Sequence, residues 1–183
     1  MNNKEPWGEG TPWKNSTAFF TYLRGCLRRA WSSNPIKHNL IKKHREQVPN
    51  PNPRGKKETV WGFTCAMCKD KFPLSMCNVD HIVPAGSLQK TEDIQGFVER
   101  LLYVTEQDLR LVCKKCNNTL ALAQKLGITF EEAKLEAAVI DMLKNKSKVL
   151  AYLQEKGYTG VAVSNQAKRR ALLREILKGE NDA

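Results

Sequence analysis

The sequence predicts an α+β protein with a small core of two strands and a helix and with mainly helical extensions at both ends. Three observations lead to this prediction. Two C-x-x-C pairs, at 65–68 and 113–116, bracket the centre of the chain. Short apolar runs typical of strands lie between and beside these pairs, and apolar residues at helical spacing precede and follow them. We therefore expect segments 1–47 (basic, helical), 48–59 (linker), 60–127 (core) and 128–183 (helical).

Charge is spread unevenly along the 183 residues, which carry a net charge of +11. Residues 1–60 hold 12 Lys/Arg against 4 Asp/Glu, whereas residues 61–120 are neutral and residues 121–183 carry +3. A basic flank beside a neutral centre favours phosphate binding, and a merely solvated basic surface is the alternative. No apolar run approaches membrane-spanning length and the N-terminus lacks a signal-peptide pattern, so we expect a cytoplasmic protein without a membrane partner.

The N-terminal segment predicts two helices. The first covers 16–33 and is opened by a Ser/Thr cap, and the second follows Asn34 as cap and Pro35 at the first helical position. Both helices carry basic side chains, which fits a phosphate-contacting surface and also fits solvated helix faces.

The stretch "VPNPNPRGKKE" predicts an extended linker with a basic end. Three prolines within five residues disfavour a helix. A basic extended segment could lie along a groove, and a simple spacer explains the composition equally well.

The two cysteine pairs predict a structural zinc site. Two residues between paired cysteines form the tight turn that aims both sulfurs at one ion, and a four-thiolate site is closed and carries no catalytic water. Neither pair lies in a βαβ pattern, which argues against a redox role. The predicted ligands are Cys65, Cys68, Cys113 and Cys116.

Between the pairs, the sequence predicts strands at Asn78–Val83 and Leu109–Cys113, a helix between them, and a helix over Cys116–Leu126. Asp80 and His81 are adjacent near the end of the first strand, where regular alternation would point them to opposite faces. Because proline and glycine follow closely, we expect the alternation to lapse there, so that both side chains address one site.

The C-terminal segment predicts three further helices after Gly127. Thr129 and Glu132 have the spacing of a capping box at the start of the first. A short helix follows in "SKVLAYLQEKG", and Ser164 is the predicted cap of the last.

The motifs "VDHIVPAG" and "DLRLVCKKCN", bracketed by the two cysteine pairs, resemble the HNH, or ββα-metal, endonucleases over residues 60–127. The flanks are similar to those of free-standing phage-type HNH proteins. The resemblance implies His81 as general base, and Asp80 and Asn117 as ligands of a catalytic Mg²⁺ or Mn²⁺. Where the family has a loop-holding asparagine, this chain has Asp108, which when ionised cannot donate a hydrogen bond.

The resemblance further implies a metal-dependent endonuclease or nickase that acts on double-stranded DNA, in the host cytoplasm if phage-encoded. A non-catalytic, zinc-stabilised DNA-binding protein is the alternative, supported by Asp108. RNA is disfavoured as a substrate because no RNA-binding module is recognisable. Monomer and dimer, and homing, packaging and host-genome attack, stay open. The predicted DNA contacts are Arg24, Arg28, Arg29, Lys42, Lys43, Arg54, Lys56 and Lys57.

Overall fold

The computed structural model describes residues 5–52, 54 and 57–182. It confirms the α+β class and divides the chain into two compact units, Met1–Cys116 and Asn117–Ala183. The helices are α1 (Ser16–Ser32), α2 (Pro35–His44), α3 (Asp93–Leu102), α4 (Lys114–Leu126), α5 (Phe130–Leu143), α6 (Lys146–Glu155) and α7 (Gln166–Asp182). The strands are β1 (Glu46–Pro49), β2 (Thr59–Thr64), β3 (Lys71–Pro73), β4 (Cys77–His81) and β5 (Leu109–Cys113).

The two N-terminal helices form where local signals predict them. Asn34 caps α2 and Pro35 opens it, as expected. The cap of α1 is Asn15, whose side chain accepts a hydrogen bond from the Ala18 N–H at 3.0 Å, one residue before the predicted cap. The buried side of α1 carries Phe20 and Trp31.

The segment predicted as a linker closes a β-hairpin. Val48 and Pro49 lie in β1, which pairs antiparallel with β2, and β3 completes the three-stranded sheet. Between the strands, the Asn50 N–H donates to the Glu58 carbonyl at 2.8 Å. The chain pairs here because Val48 is only 1% exposed and supplies apolar burial, while β1 is an edge strand that tolerates proline. Pro53, Gly55 and Lys56 lie outside the described residues.

Gly62 in β2 lets this sheet close, because a Cβ there would lie 2.3 Å from Val48 Cγ2 and 2.4 Å from the Phe72 carbonyl oxygen. We expect Gly62→Ala to lower the free energy of unfolding by about 1–3 kcal/mol, since overpacking forces side chains and backbone apart. Urea unfolding followed by circular dichroism would measure it. Gly25→Ala in α1, where a Cβ meets only Arg29 at 3.7 Å, is the control and should not destabilise. Equal stability of the Gly62 variant and wild type would contradict the expectation.

The second sheet is the antiparallel pair β4–β5, with α3 inserted between its strands and α4 directly after them. β5 has the predicted bounds. β4 begins one residue earlier than predicted and ends at His81 instead of Val83. The register runs without interruption from Cys77 opposite Cys113 to His81 opposite Leu109.

The second unit contains α5, α6 and α7. Thr129 and Glu132 form the predicted capping box of α5. The cap of α7 differs from the prediction, because the Asn165 side chain, not Ser164, accepts from the Lys168 N–H at 2.9 Å. The apolar core contains Val139, Val149, Leu153 and Leu173. Within the described residues, no helix combines the length and the apolar character needed to cross a membrane.

Candidate functional site

Four cysteines form a compact cluster at the junction of the two sheets. Their Sγ atoms all lie within 4.8 Å of one another, close to the roughly 3.8 Å that tetrahedral zinc–thiolate geometry requires. Elsewhere among the described residues, no group of three or more His, Cys, Asp or Glu side chains converges in this way. The cluster could therefore hold a metal ion such as zinc. Its members are Cys65, Cys68, Cys113 and Cys116.

Main-chain N–H groups reach two of these sulfurs. The Cys113 N–H donates to Cys65 Sγ at 3.3 Å, and the Cys116 N–H donates to Cys113 Sγ at 3.4 Å. Burial raises the pKa of the Cys65 thiol, but N–H groups of Cys113, Cys68 and Met67 outweigh it and lower the pKa to about 7. Because zinc binds thiolates, N–H donors that stabilise negative sulfur favour the bound state.

The cluster links the two sheets of the first unit. Cys65 directly follows β2, whereas Cys113 ends β5 and Cys116 lies in the first turn of α4. Close to the cluster, the Ala66 N–H donates to the Leu111 carbonyl at 2.8 Å, which adds one main-chain bond between the same elements. An ion bound here would hold β2 against β5.

His81 is partly buried at the end of β4, between α1 and α3. Its Nε2 lies 3.1 Å from the Leu101 carbonyl oxygen, and its ring packs on Trp31 with 4.3 Å between centroids. A carbonyl only accepts, so in the neutral ring Nε2 carries the hydrogen and Nδ1 keeps the lone pair. The bond from Nε2 to the Leu101 carbonyl therefore fixes the orientation of the ring and leaves Nδ1 as its basic nitrogen.

Asp80 forms an ion pair across the sheet. Arg110 Nε and Nη2 both lie 2.8 Å from Asp80 Oδ2, and the two residues are opposite each other in the β4–β5 register. The side chain of Asp80 is only 21% exposed and that of Arg110 only 24%. Arg110 thus balances the charge of the predicted metal ligand.

The expected lapse of alternation at Asp80 and His81 is wrong. His81 still pairs with Leu109, and the Ile82 N–H donates to the Asp108 carbonyl at 2.9 Å, so regular pairing continues past the pair. Side chains of consecutive strand residues then leave opposite faces. Asp80 contacts Arg110, while the His81 ring contacts α1 and α3.

Asp108 is the third residue of a short 3₁₀ turn and holds that turn through its carboxylate. Its Oδ2 accepts from the Thr105 N–H at 2.7 Å and from the Thr105 hydroxyl at 2.8 Å. These two bonds, the N–H first, lower the pKa of the Asp108 carboxyl. The side chain at position 108 therefore acts as a hydrogen-bond acceptor, a role that an ionised aspartate can fill. The main-chain carbonyl of Asp108 also accepts from the Ile82 N–H and so holds the segment after His81.

A pocket of about 290 Å³ opens beside His81. Only His81 and Asp108 among its residues were predicted from the sequence, and the missed ones include Arg100 and Tyr103, contributed by α3 and its C-terminal cap. Tyr103 is 88% exposed, an unusual position for a large ring. The pocket is lined by His81, Val83, Glu99, Arg100, Tyr103, Val104 and Asp108.

The remaining predicted residues lie on several elements. Asn117 directly follows Cys116 in α4, is partly exposed and begins the second unit, and its role as a metal ligand stays a prediction. Lys43 makes a 2.5 Å ion pair with Glu106. Lys56 lies outside the described residues. The exposed predicted DNA contacts are Arg24, Arg28 and Arg29 on α1, Lys42 and Lys43 on α2, and Arg54 and Lys57 in the β1–β2 connection.

Comparisons with protein-family models, with curated proteins and with solved structures gave no match to this chain.

Proposed function

We propose that the protein is a metal-dependent endonuclease or nickase that hydrolyses phosphodiester bonds in double-stranded DNA. The observation that carries this proposal is the setting of His81. Its Nε2 is bound to the Leu101 carbonyl, its Nδ1 keeps a lone pair, and it lines a pocket together with Arg100. The order of β4, β5 and α4 along the chain is that of the family that the sequence resembles. The basic first unit, with 19 Lys/Arg against 11 Asp/Glu, suits a polyanionic substrate.

In the proposed reaction, His81 takes a proton from a water molecule. The water oxygen forms a bond to phosphorus as the bond from phosphorus to the 3′ oxygen breaks, and the departing 3′ oxygen takes a proton from solvent water, which leaves a 3′-hydroxyl and a 5′-phosphate. A bound Mg²⁺ or Mn²⁺ would offset the negative charge that develops on the phosphate oxygens. We propose Asp80 and Asn117 as its protein ligands. Because the Asp80 and His81 side chains leave opposite faces of β4, the phosphate would have to lie beyond the end of the strand, with the cation on its Asp80 side and the water on its His81 side.

The donor chemistry at Asp80 fits a hard cation, since carboxylate and amide oxygens are the ligands that Mg²⁺ prefers. Both bonds from Arg110 reach Oδ2 of Asp80, so Oδ1 is the oxygen that would take the cation. The guanidinium beside this carboxylate repels a dication, so Arg110 would have to share or release Asp80 when a metal binds. We therefore expect weak metal binding in the absence of DNA.

We also propose that the ion of the four-cysteine cluster is structural zinc. Four thiolates leave no open position for water or substrate, so this ion would take no part in the reaction. Its role would be to hold the end of β2 and the start of α4 against β5.

A second candidate function is a zinc-stabilised DNA-binding protein without nuclease activity. The Asp80–Arg110 ion pair favours it, because the predicted metal ligand already has a cationic partner on the face of the strand opposite His81. This candidate requires DNA binding that is indifferent to Mg²⁺ and to His81.

Supercoiled plasmid incubated with the purified protein, with and without Mg²⁺ or Mn²⁺, tests the proposal. We expect metal-dependent conversion to nicked or linear DNA, and no cleavage of RNA in a parallel reaction. Asp80→Asn should raise the Mg²⁺ concentration for half-maximal cleavage at least about tenfold, because a neutral amide is a weaker ligand than a carboxylate. Arg110→Gln, which removes the competing cation, should lower it.

An identical metal requirement for wild type and Asp80→Asn would contradict the role of Asp80. Retarded plasmid migration without any cleavage, at every Mg²⁺ or Mn²⁺ concentration, would favour the DNA-binding candidate.

A further inference from the structure

Arg100 is held in place inside the pocket beside His81. It lies in the last turn of α3, and its Nε donates to the Ala85 carbonyl at 3.1 Å. Ala85 belongs to the loop that follows β4, so this bond ties α3 to the chain just beyond His81. The bond uses Nε, which leaves the two terminal nitrogens, Nη1 and Nη2, as donors.

Two glycines make room for the guanidinium of Arg100. A Cβ at Gly96 would lie 3.0 Å from Nη1 and 3.5 Å from Nη2, and a Cβ at Gly86 would lie 3.4 Å from Nη2. The positive φ of Gly86, +83°, is itself a reason for glycine there. Gly96 has no such reason, because it lies inside α3 where glycine is a poor helix former. The space taken by Arg100 accounts for Gly96.

The charge of Arg100 is not neutralised by a close ion pair. Within the described part of the chain, no carboxylate lies within 4.0 Å of its nitrogens, although Asp93, Glu99 and Asp108 are near it or line the same pocket. A guanidinium that is oriented by a carbonyl and two glycines, yet unpaired, presents a planar fork of donors. Such a fork matches the oxygens of a phosphate group.

We propose that Arg100 binds the non-bridging oxygens of the phosphodiester that enters the pocket of His81. This inference rests on the proposed nuclease function and assigns it a substrate-binding residue outside both sequence motifs. Arg100 would fix the phosphate relative to His81 and would offset the charge that grows on its oxygens during hydrolysis. Gly96 and Ala85 position Arg100 for this contact.

The test compares three variants and a control variant in steady-state cleavage of a duplex oligonucleotide. Arg100→Ala should lower kcat/KM by about 10²–10³-fold, the usual cost of losing one donor to a developing oxyanion. Arg100→Lys keeps the charge but not the fork, and should recover part of the loss. Gly96→Ala keeps the arginine and improves the helix, yet its Cβ would displace Nη1, so kcat/KM should fall about tenfold while thermal stability does not. Lys134→Ala, an exposed charge on α5, is the control and should cleave as wild type does.

Two results would overturn the proposal. One is Arg100→Ala with a kcat/KM within about twofold of wild type. The other is an Arg100→Lys variant as impaired as Arg100→Ala together with a fully active Gly96→Ala variant. Cleavage would then depend neither on the positive charge at position 100 nor on the position of the guanidinium beside Gly96. If Arg100 had only a structural role, each variant would lose activity in proportion to its loss of thermal stability. Gly96→Ala is expected to lose activity without losing thermal stability.

Binding distinguishes a failure of this proposal from a failure of the nuclease function. If wild type cleaves nothing, the nuclease function fails, and Arg100 is then judged by the Kd of a fluorescein-labelled duplex in EDTA. A Kd raised at least about fivefold in Arg100→Ala, beyond the change in Lys134→Ala, would support phosphate binding by Arg100. Equal Kd values for the two variants would overturn it.

Discussion

His81→Ala is expected to lower the rate of plasmid cleavage by about 10²–10⁴-fold, the range typical of a lost general base. The reason is that Nδ1 is the basic nitrogen left to the ring by the bond from Nε2 to Leu101. Zinc content and DNA binding should stay as in wild type, because His81 touches neither the four cysteines nor the exposed basic residues of α1 and α2 in any described contact. Nicking kinetics at saturating Mg²⁺, metal analysis of the same sample, and the Kd of a fluorescein-labelled duplex in EDTA would measure the three quantities.

Alanine also removes contacts that stabilise the fold, so a second variant is needed. The ring of His81 bonds to the Leu101 carbonyl and packs on Trp31, and losing these contacts should cost about 1–2 kcal/mol of unfolding free energy. His81→Gln can still donate an amide N–H to that carbonyl, but its amide oxygen is too weak a base to deprotonate water. It should therefore unfold closer to wild type and cleave no better than the alanine variant.

The two variants together separate a catalytic from a structural histidine. Cleavage by His81→Gln at the wild-type rate would show that His81 is not the base. Loss of DNA binding in both variants, in parallel with their stability, would make His81 a structural residue that supports α1 and α3.

The sequence predicted the parts of this fold that depend on local signals. The cap at Asn34 with Pro35, the capping box at Thr129 and the bounds of β5 each rest on a few neighbouring residues, and the structure confirms them. The four-cysteine cluster was predictable for a related reason. A C-x-x-C turn fixes the relative position of two sulfurs by itself, and only the meeting of the two pairs needed the fold.

The features that the sequence did not predict depend on contacts between residues far apart in the chain. Asp80 has its cross-strand partner 30 residues later at Arg110, and the register that opposes them is set by the whole β4–β5 pairing. The segment expected to be a linker forms a hairpin because Val48 packs against Gly62 across the sheet. The prolines in this segment favoured the linker interpretation instead.

The pocket shows the same limit. Arg100 lies in a helix that was predicted. The position of its guanidinium beside Gly96 and the Ala85 carbonyl, however, arises only when α3 packs beside the loop that follows β4. The spacing of Gly96 and Arg100 by four residues was the only local signal. Glycine inside an otherwise good helix, four residues before an arginine, indicates a side chain lying back along the helix surface.

Cys113→Ser is expected to abolish metal binding by the cysteine cluster and to destabilise the first unit. Cys113 is 2% exposed, ends β5 and lies opposite Cys77, so the change reaches both the cluster and the sheet. Structural zinc in small domains contributes several kcal/mol to folding, and up to roughly 10–16 kcal/mol in zinc-finger peptides. A loss of even about 3 kcal/mol should lower the melting temperature of the unit by at least about 10 °C. Differential scanning calorimetry with metal analysis would measure it.

Two other cysteines provide matched controls for this prediction. Cys26 lies on α1 and Cys77 on β4, and neither belongs to the four-sulfur cluster. Cys26→Ser and Cys77→Ser should each keep one zinc per chain, and Cys26→Ser should melt as wild type does. Cys77 is partly buried opposite Cys113, and its burial raises the pKa of its thiol to about 11, but its sulfur lies outside the group of four that converges on one point.

Chelation of the wild-type protein should reproduce the effect of Cys113→Ser, since both remove the ion while only one removes a sulfur. The four cysteines come from two separate segments of the first unit, so without the ion the link between β2 and β5 depends on main-chain bonds such as that of Ala66 to Leu111. A chelated protein that melts at the wild-type temperature would contradict a structural zinc. A chelated protein that melts early but regains its stability with one equivalent of Zn²⁺, and not with Mg²⁺, would support it, because four thiolates favour zinc over a hard cation.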